Sequence, residues 1–160
     1  MKSILVYSSK TGNTERLAKA IHSTLPEGTE FKSVDEIDNF DDYETVIVGF
    51  HVINGKVDKK AQAVLDQLKG KKVGLFATTG LLFLGGKAIT EARDQIEENN
   101  ELLCAYICPG RIDPAVEGKF KEAFPKYCDI IDDAHIPEDV GAPLDKYLEE
   151  AKNLYNQSLK

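Results

Sequence analysis

The chain lacks the features that mark a membrane protein or a secreted protein. None of its apolar runs approaches the roughly 20 consecutive residues that a transmembrane helix needs. The first three residues lead directly into a short apolar run, without the basic and then apolar regions of a secretory signal. We therefore expect a cytoplasmic protein that does not insert into membranes.

Cysteine is also scarce. The three cysteines are an odd number and include no Cys-x-x-Cys pair, so they predict neither a disulfide framework nor a metal site. Cys104 and Cys108 lie in one predicted strand, where we expect them to pack as small hydrophobic side chains.

Basic residues are outnumbered by acidic ones. The chain has 20 Lys and Arg against 27 Asp and Glu, which gives a formal net charge of −7. This balance disfavours nucleic acid and anionic membranes as partners. No lysine or arginine interrupts the acidic run at residues 35–44. We expect this run to be a solvated surface that docks onto a basic partner protein.

Apolar runs and helical patterns alternate along the chain. Five runs are typical of buried parallel strands, namely 4–7, 30–34, 45–50, 72–78 and 102–108. Four segments have helical periodicity, namely 13–25, 58–68, 87–99 and 143–159, whereas 35–43 predicts only one turn or a loop. The pattern indicates a parallel α/β sheet in a single domain, 1–160, with an irregular insertion at about 109–139.

The loop after the first strand, residues 8–14, is rich in hydroxyl side chains and leads directly into a helix. The free N–H groups at a helix N-terminus, together with hydroxyls, favour a bound phosphate. The loop has neither the Gly-Lys-Ser/Thr ending of a Walker loop nor a Gly-x-Gly-x-x-Gly pattern, which indicates a terminal phosphate rather than a pyrophosphate. The alternative is that Thr11 and Thr14 only cap the helix.

The loop sequence resembles the FMN-phosphate loop of flavodoxins, which reads Ser/Thr-x-Thr-Gly-x-Thr after the first strand. The order of elements is similar along most of the chain, and Val48-Gly49-Phe50 and Thr79-Gly80 match segments of one group of flavodoxin-like proteins. The resemblance implies a three-layer α/β sandwich with a five-stranded parallel sheet of order 2-1-3-4-5. It also implies a non-covalently bound FMN, held at its phosphate end by Ser9, Lys10, Thr11, Gly12, Asn13 and Thr14.

In such a sheet the ligand lies where the loops after the first, third and fourth strands converge. The second and third of these loops, 50–56 and 79–86, are apolar, which suits the planar ring of a flavin. Since the chain has no tryptophan, the residues that flank the ring would be Phe50, His51, Ile53, Leu82 or Phe83. The other cofactor-binding residues that we predict in these loops are Val52, Asn54, Gly55, Thr79, Gly80 and Leu81.

Two alternatives stay open for these loops. The apolar stretch 81–84 could begin the following helix, and Asn54-Gly55 could be a plain surface turn. In flavodoxins a glycine-containing peptide of the second loop turns over to hydrogen-bond the flavin N5 when it gains a proton. The resemblance implies this role for Gly55-Lys56.

The resemblance implies an electron carrier that shuttles electrons from a flavin reductase, or another donor, to an acceptor enzyme, with no catalytic residue of its own. One alternative is an FMN-dependent reductase of a small substrate, with a pocket built by the insertion and the apolar third loop. Another is an accessory flavoprotein dedicated to one larger reductase. A binding module that has lost FMN is disfavoured by the intact phosphate loop.

Overall fold

The computed structural model describes residues 2–8, 13–79, 82–109 and 144–158. In chain order the elements are β1 (Lys2–Tyr7), α1 (Asn13–His22), β2 (Glu30–Ser33), β3 (Tyr43–Ile53), β4 (Lys56–Val57), α2 (Lys59–Gln67), β5 (Lys72–Thr79), α3 (Leu82–Glu97), β6 (Glu101–Pro109) and α4 (Leu144–Ser158). A 3-10 turn, Val34–Glu36, follows β2, in agreement with the single turn that we predicted there. Apart from residue 109, the predicted insertion lies outside the described residues.

Five of the strands form a parallel sheet in the spatial order β2-β1-β3-β5-β6. Since β4 is the short additional strand, the other five have the order expected from the sequence, and the flavodoxin-like α/β class is confirmed. β4 pairs antiparallel with the end of β3 and makes the sheet six-stranded. The sequence analysis missed it because a strand of two residues has no detectable periodicity.

Two of the element boundaries that differ from the prediction change the candidate site. β3 continues to Ile53 instead of ending at Phe50, and α3 begins at Leu82 instead of residue 87. Placing 82–86 in a loop was therefore wrong, and the alternative of an early helix start is correct to within one residue. Leucine is a strong helix former, and each glycine in a helix costs about 1 kcal/mol relative to alanine. The burial of Ala88 and Ile89 on the same helix offsets that cost.

The sheet is buried on both faces, because successive side chains of a strand point to opposite sides. Along β3, Val48 and Phe50 pack with α2 and α3, whereas Ile47 packs with α1 and α4. The molecule is thus built in three layers, with one apolar core on each side of the sheet.

The cysteines of β6 belong to the core on the α4 side. Cys108 is buried within that cluster, and the partly buried Cys104 packs against it. Burial raises the pKa of the Cys108 thiol to about 12, with a smaller contribution from Glu150. Both side chains pack as the small hydrophobic residues that we predicted.

Gly49 allows close packing at the centre of the sheet. A Cβ atom on Gly49 would lie 2.1 Å from two ring carbons of Phe76, whose side chain is fully buried. The Gly49 carbonyl also accepts a hydrogen bond of 2.9 Å from the Ser8 N–H group at the end of β1. The glycine of the Val-Gly-Phe segment therefore has a packing role next to the site.

We expect Gly49→Ala to lower the free energy of unfolding by about 1–3 kcal/mol, the usual cost of overpacking a core. Urea denaturation measures the change. Leucine lacks the three ring atoms of Phe76 that crowd position 49. The double variant Gly49→Ala/Phe76→Leu should therefore lose less stability than the sum of the two single variants. Strict additivity would contradict the packing role.

Candidate functional site

A cleft of about 880 Å³ lies at the carboxyl edge of the sheet, beside the ends of β1, β2 and β3. β1 and β3 are the neighbours between which the strand order reverses, the usual ligand position in an open α/β sheet. The volume is within the range of small-molecule sites. The cleft is lined by Tyr7, Ser8, Glu15, Ser33, Val34, Asp35, His51, Ile53, Asn54, Lys56, Val57, Asp58, Lys59 and Lys60.

Part of the cleft wall is apolar. Among the described residues, Ile53 is the large hydrophobic residue that is exposed, with 45% of its surface accessible. Val34 and Val57 line the same cleft. An isoleucine that remains so accessible at the end of a strand offers a surface for an apolar ligand face.

Tyr7 closes one end of the wall. Its ring lies 5.1 Å from that of Phe31, and its hydroxyl donates a hydrogen bond of 3.3 Å to Glu15. Burial and, after it, the neighbouring Glu15 carboxylate raise the pKa of the Tyr7 hydroxyl. Tyr7 is therefore a neutral phenol at physiological pH.

The extension of β3 to Ile53 divides the predicted ring-flanking residues into two sets. Phe50 is fully buried in the core with α2 and α3, and Val52 packs against the same core. His51 and Ile53 point to the other side and line the cleft. The side chains of Phe50 and Val52 therefore face the core and not the cleft, because strand alternation continues through the segment that we interpreted as a loop.

A buried carboxylate that the sequence analysis did not single out joins three elements around the cleft. The Asp58 side chain is 4% exposed and caps the N-terminus of α2. Its Oδ1 atom accepts hydrogen bonds from Ser8 Oγ at 2.8 Å and from the Ala61 N–H at 3.1 Å, and Oδ2 accepts from the His51 N–H at 3.3 Å. One side chain thus holds the ends of β1 and β3 against the start of α2.

The imidazole ring of His51 belongs to the same cluster. Its Nδ1 atom lies 3.4 Å from Asp58 Oδ2 and 3.4 Å from the Ser8 carbonyl oxygen. Ser8, His51 and Asp58 do not form a hydrolase triad, because the Ser8 hydroxyl donates to the carboxylate instead of to the imidazole. An aspartate before a helical segment is a recognisable N-cap signal, but only the fold brings Ser8 and His51 to it.

The predicted phosphate loop is only partly described. Ser9, Lys10, Thr11 and Gly12 lie outside the described residues, and Asn13 is the first residue of α1. Thr14 is 2% exposed, and its hydroxyl lies 2.8 Å from that of Thr78 on β5. The Thr14 hydroxyl therefore links the start of α1 to the centre of the sheet.

The predicted residues of the second loop form a tight hairpin. Asn54 and Gly55 have φ angles of 52° and 76°, and they connect the antiparallel pair Ile53 and Lys56. Two central residues with positive φ are the signature of a type I′ turn, for which Asn-Gly is preferred. The backbone of Asn54-Gly55 therefore forms the surface turn that we named as the alternative, and Asn54 also lines the cleft.

The predicted residues of the third loop lie at the end of β5 and the start of α3. Thr79 is the last residue of β5 and is 5% exposed. Gly80 and Leu81 lie outside the described residues, and Leu82 and Phe83 are the first residues of α3.

The acidic run does not form one surface beside the cleft. It leaves β2 at the carboxyl edge of the sheet and enters the parallel strand β3 at the amino edge. Asp35 lines the cleft and forms an ion pair of 3.0 Å with Lys60, whereas Glu44 is paired with Lys72 near the opposite edge. The acidic run that we expected to form one docking surface is therefore divided between the two edges of the sheet, and lysines accompany its residues at both.

The part of the chain that the structure describes contains no helix that is both long and apolar enough to cross a bilayer. The same residues contain no group of three or more His, Cys, Asp or Glu side chains placed to hold a metal ion.

The fold and the cleft define a doubly wound α/β protein with a cleft at the switch point of its sheet. The family model of the flavodoxin domain matches residues 4–139. The flavodoxin-like domain-containing protein BilS from Clostridioides difficile (strain CD3) is 36% identical over 129 residues, which cover 76% of this chain and 73% of that protein. The chain belongs to the flavodoxin domain family.

Solved structures agree with this fold. A flavodoxin from the domain Archaea covers 99% of this chain and 96% of its own, with a TM-score of 0.62 and 18% identity. Oxidised flavodoxin 2 from Bacillus cereus covers 79% and 99%, with a TM-score of 0.57 and 24% identity. A flavoprotein from Lactobacillus acidophilus NCFM, solved in complex with FMN, covers 66% and 92%, with a TM-score of 0.55 and 18% identity.

We expect Asp58→Ala to lower the free energy of unfolding by at least about 2 kcal/mol, since it removes a helix cap and leaves buried donors unpaired. Thermal or urea denaturation of the ligand-free protein measures the loss. Asp38→Ala is the matched control, because Asp38 is exposed between β2 and β3. Equal stability of the two variants would show that the Asp58 carboxylate does not join these elements.

Proposed function

We propose that this protein binds FMN non-covalently and carries electrons from a reductase to an acceptor enzyme. The observation that supports this function is the cleft at the switch point of the sheet, which has an apolar wall and is lined by Ser8 and Glu15, the residues that flank the hydroxyl-rich segment 9–14 in the sequence. FMN would supply the redox chemistry, and the protein would supply binding, orientation and electrostatics.

The residues around the cleft suit the two ends of FMN. Ile53 offers an exposed apolar contact to a planar ring, and Val34 and Val57, which also pack against the core, line the same cleft. The N-terminus of α1 offers free N–H groups and a favourable dipole to a phosphate, next to hydroxyls in the preceding loop. The proposed phosphate ligands are those of the flavodoxin resemblance, Ser9, Lys10, Thr11, Gly12, Asn13 and Thr14.

The hairpin at the cleft has one peptide that can turn over without loss of strand pairing. The Asp58 N–H donates to the His51 carbonyl at 3.2 Å, so His51 and Asp58 are a hydrogen-bonded pair of the antiparallel ladder. Hydrogen-bonded and non-hydrogen-bonded pairs alternate along such a ladder, so Ile53 and Lys56 are the next hydrogen-bonded pair. The Gly55-Lys56 peptide is held by that pair. We therefore place a redox-linked peptide flip at Asn54-Gly55, the peptide that this pairing does not hold.

A carrier also requires access for a partner protein to the bound ring. The exposure of Ile53 at 45% and the position of Asn54 and Gly55 at a hairpin tip support a ring edge that lies near the surface. The alternative, a reductase with its own small substrate, depends on a pocket formed by the insertion at 109–139. The described residues offer no specific observation in its favour.

Purified protein should contain FMN and not FAD, because the first loop lacks the glycines that accommodate a pyrophosphate. A visible spectrum and mass spectrometry of the released cofactor decide this point. Thr11→Ala should weaken FMN binding by about 1.5–3 kcal/mol, the contribution of a hydrogen bond to a charged group, and leave riboflavin binding unchanged. Thr24→Ala, beyond the end of α1, is the control. FAD as the sole cofactor, or equal losses for both flavins, would contradict the assignment.

The protein alone should show negligible turnover with NAD(P)H, whereas a flavoprotein reductase with a basic docking surface should reduce it rapidly. Stopped-flow absorbance with and without such a reductase measures both rates. Asp35→Lys/Glu36→Lys, at the carboxyl edge, should slow the exchange, because charge steering acts over roughly 8–10 Å. Asp41→Lys/Asp42→Lys makes the same charge change near the amino edge and should have little effect.

Saturable oxidation of NAD(P)H by the purified protein alone, without dependence on ionic strength, would contradict the carrier proposal and favour the reductase. Equal slowing by both pairs of charge reversals would contradict docking beside the cleft, because it would show that the exchange depends on net charge and not on Asp35 and Glu36.

A further inference from the structure

Flavin binding by the loops does not explain why the His51 imidazole lies against the buried Asp58 carboxylate. We propose that Asp58 is a positioning residue, which orients the His51 imidazole so that its Nε2 atom hydrogen-bonds the ring system of the ligand in the cleft. This inference rests on the proposed function, because the ligand that it names is the isoalloxazine ring of FMN.

The two neighbours of Nδ1 determine which nitrogen of the neutral ring carries the proton. Asp58 Oδ2 and the Ser8 carbonyl oxygen, each 3.4 Å from Nδ1, are both hydrogen-bond acceptors. Nδ1 must therefore donate, which leaves Nε2 as the acceptor in the neutral imidazole. The carboxylate itself is fixed by the Ser8 hydroxyl and the Ala61 N–H at Oδ1, so it cannot rotate away from His51 without losing both bonds.

The position of His51 on β3 directs Nε2 toward the cleft. The ring lines the cleft and its side chain is 22% exposed, while the Nδ1 side is held against β1 and α2. Ile53, two residues further on the same face of the strand, is the exposed apolar residue of the wall. An imidazole acceptor beside an apolar wall matches a planar ring whose edge carries N–H donors, such as the isoalloxazine.

Two substitutions separate the anchoring nitrogen from the nitrogen that contacts the ligand. In His51→Asn the side-chain amide group takes the position of Nδ1, so it can keep the contacts with the Ser8 carbonyl and Asp58 but has nothing at Nε2. In His51→Gln the amide group reaches the position of Nε2, so it can keep a bond to the ligand but loses the anchor. If His51 had only a structural role, asparagine would replace it better than glutamine, because asparagine keeps the contacts at the Nδ1 position.

The affinity of each variant for FMN and for riboflavin is measured by fluorescence titration. We expect His51→Asn to weaken both ligands about three- to tenfold, the range of one neutral hydrogen bond. His51→Gln should recover at least part of that loss. Urea denaturation of the ligand-free variants shows whether each is folded, and His22→Asn, a histidine of α1 away from the cleft, is the control.

Nitrogen-15 NMR of the ligand-free protein provides a second readout that does not depend on flavin. The neutral His51 ring should show its proton on Nδ1. In Asp58→Asn the amide oxygen keeps the two donors at Oδ1, so an amide nitrogen replaces the Oδ2 acceptor and the Ser8 carbonyl is left as the acceptor at Nδ1. The ring proton should then shift toward Nε2.

Five results would overturn the proposal. Four are full affinity in His51→Asn, no recovery in His51→Gln, a loss confined to FMN, which would indicate a phosphate contact, and a neutral wild-type ring protonated at Nε2. The fifth is an unchanged ring proton in Asp58→Asn, because Asp58 would then not position the imidazole. A protein that takes up no flavin would refute the proposed function together with the ring contact. The tautomer measurement would still test the pairing of Asp58 with His51 on its own.

Discussion

Every crossover between the parallel strands has to return the chain from the carboxyl edge of the sheet to its amino edge. The carboxyl ends of β1 and β3 therefore meet at one edge, and the cleft lies beside them. The same constraint divides the acidic run, because the connection from β2 to β3 crosses the molecule and carries Asp41 and Asp42 away from the cleft. Charge that is contiguous in the sequence is thus separated by the direction of the strands.

A second constraint is that successive side chains of each strand point to opposite faces of the sheet. Both faces of the sheet are covered by helices, so each strand contributes to two cores. Where β3 extends past the core, one face still packs against α2 and α3 while the other becomes the wall of the cleft. Phe50 and Ile53 differ in exposure for this reason and not because of their chemistry.

Asp58 shows how a polar group can have a large structural effect in a mostly apolar molecule. A buried carboxylate is costly unless donors surround it, and here the donors come from β1, β3 and the first turn of α2. The cluster requires the three elements to meet in one arrangement. It also orders the wall on which the flavin ring would lie, so that the stability of the fold and the geometry of the site depend on the same side chain.

The sequence by itself determined the alternation of strands and helices, the strand order implied by the family resemblance, and the hydroxyl-rich loop before α1. These features depend on local periodicity and on short motifs, which can be read without knowledge of distant contacts. Only the tertiary structure decided that Phe50 belongs to the core, that α3 begins at Leu82, and that Asp58 joins Ser8 and His51. The physical reason is that burial and hydrogen-bond partners depend on residues about 50 positions apart, and local pattern contains no information about such contacts.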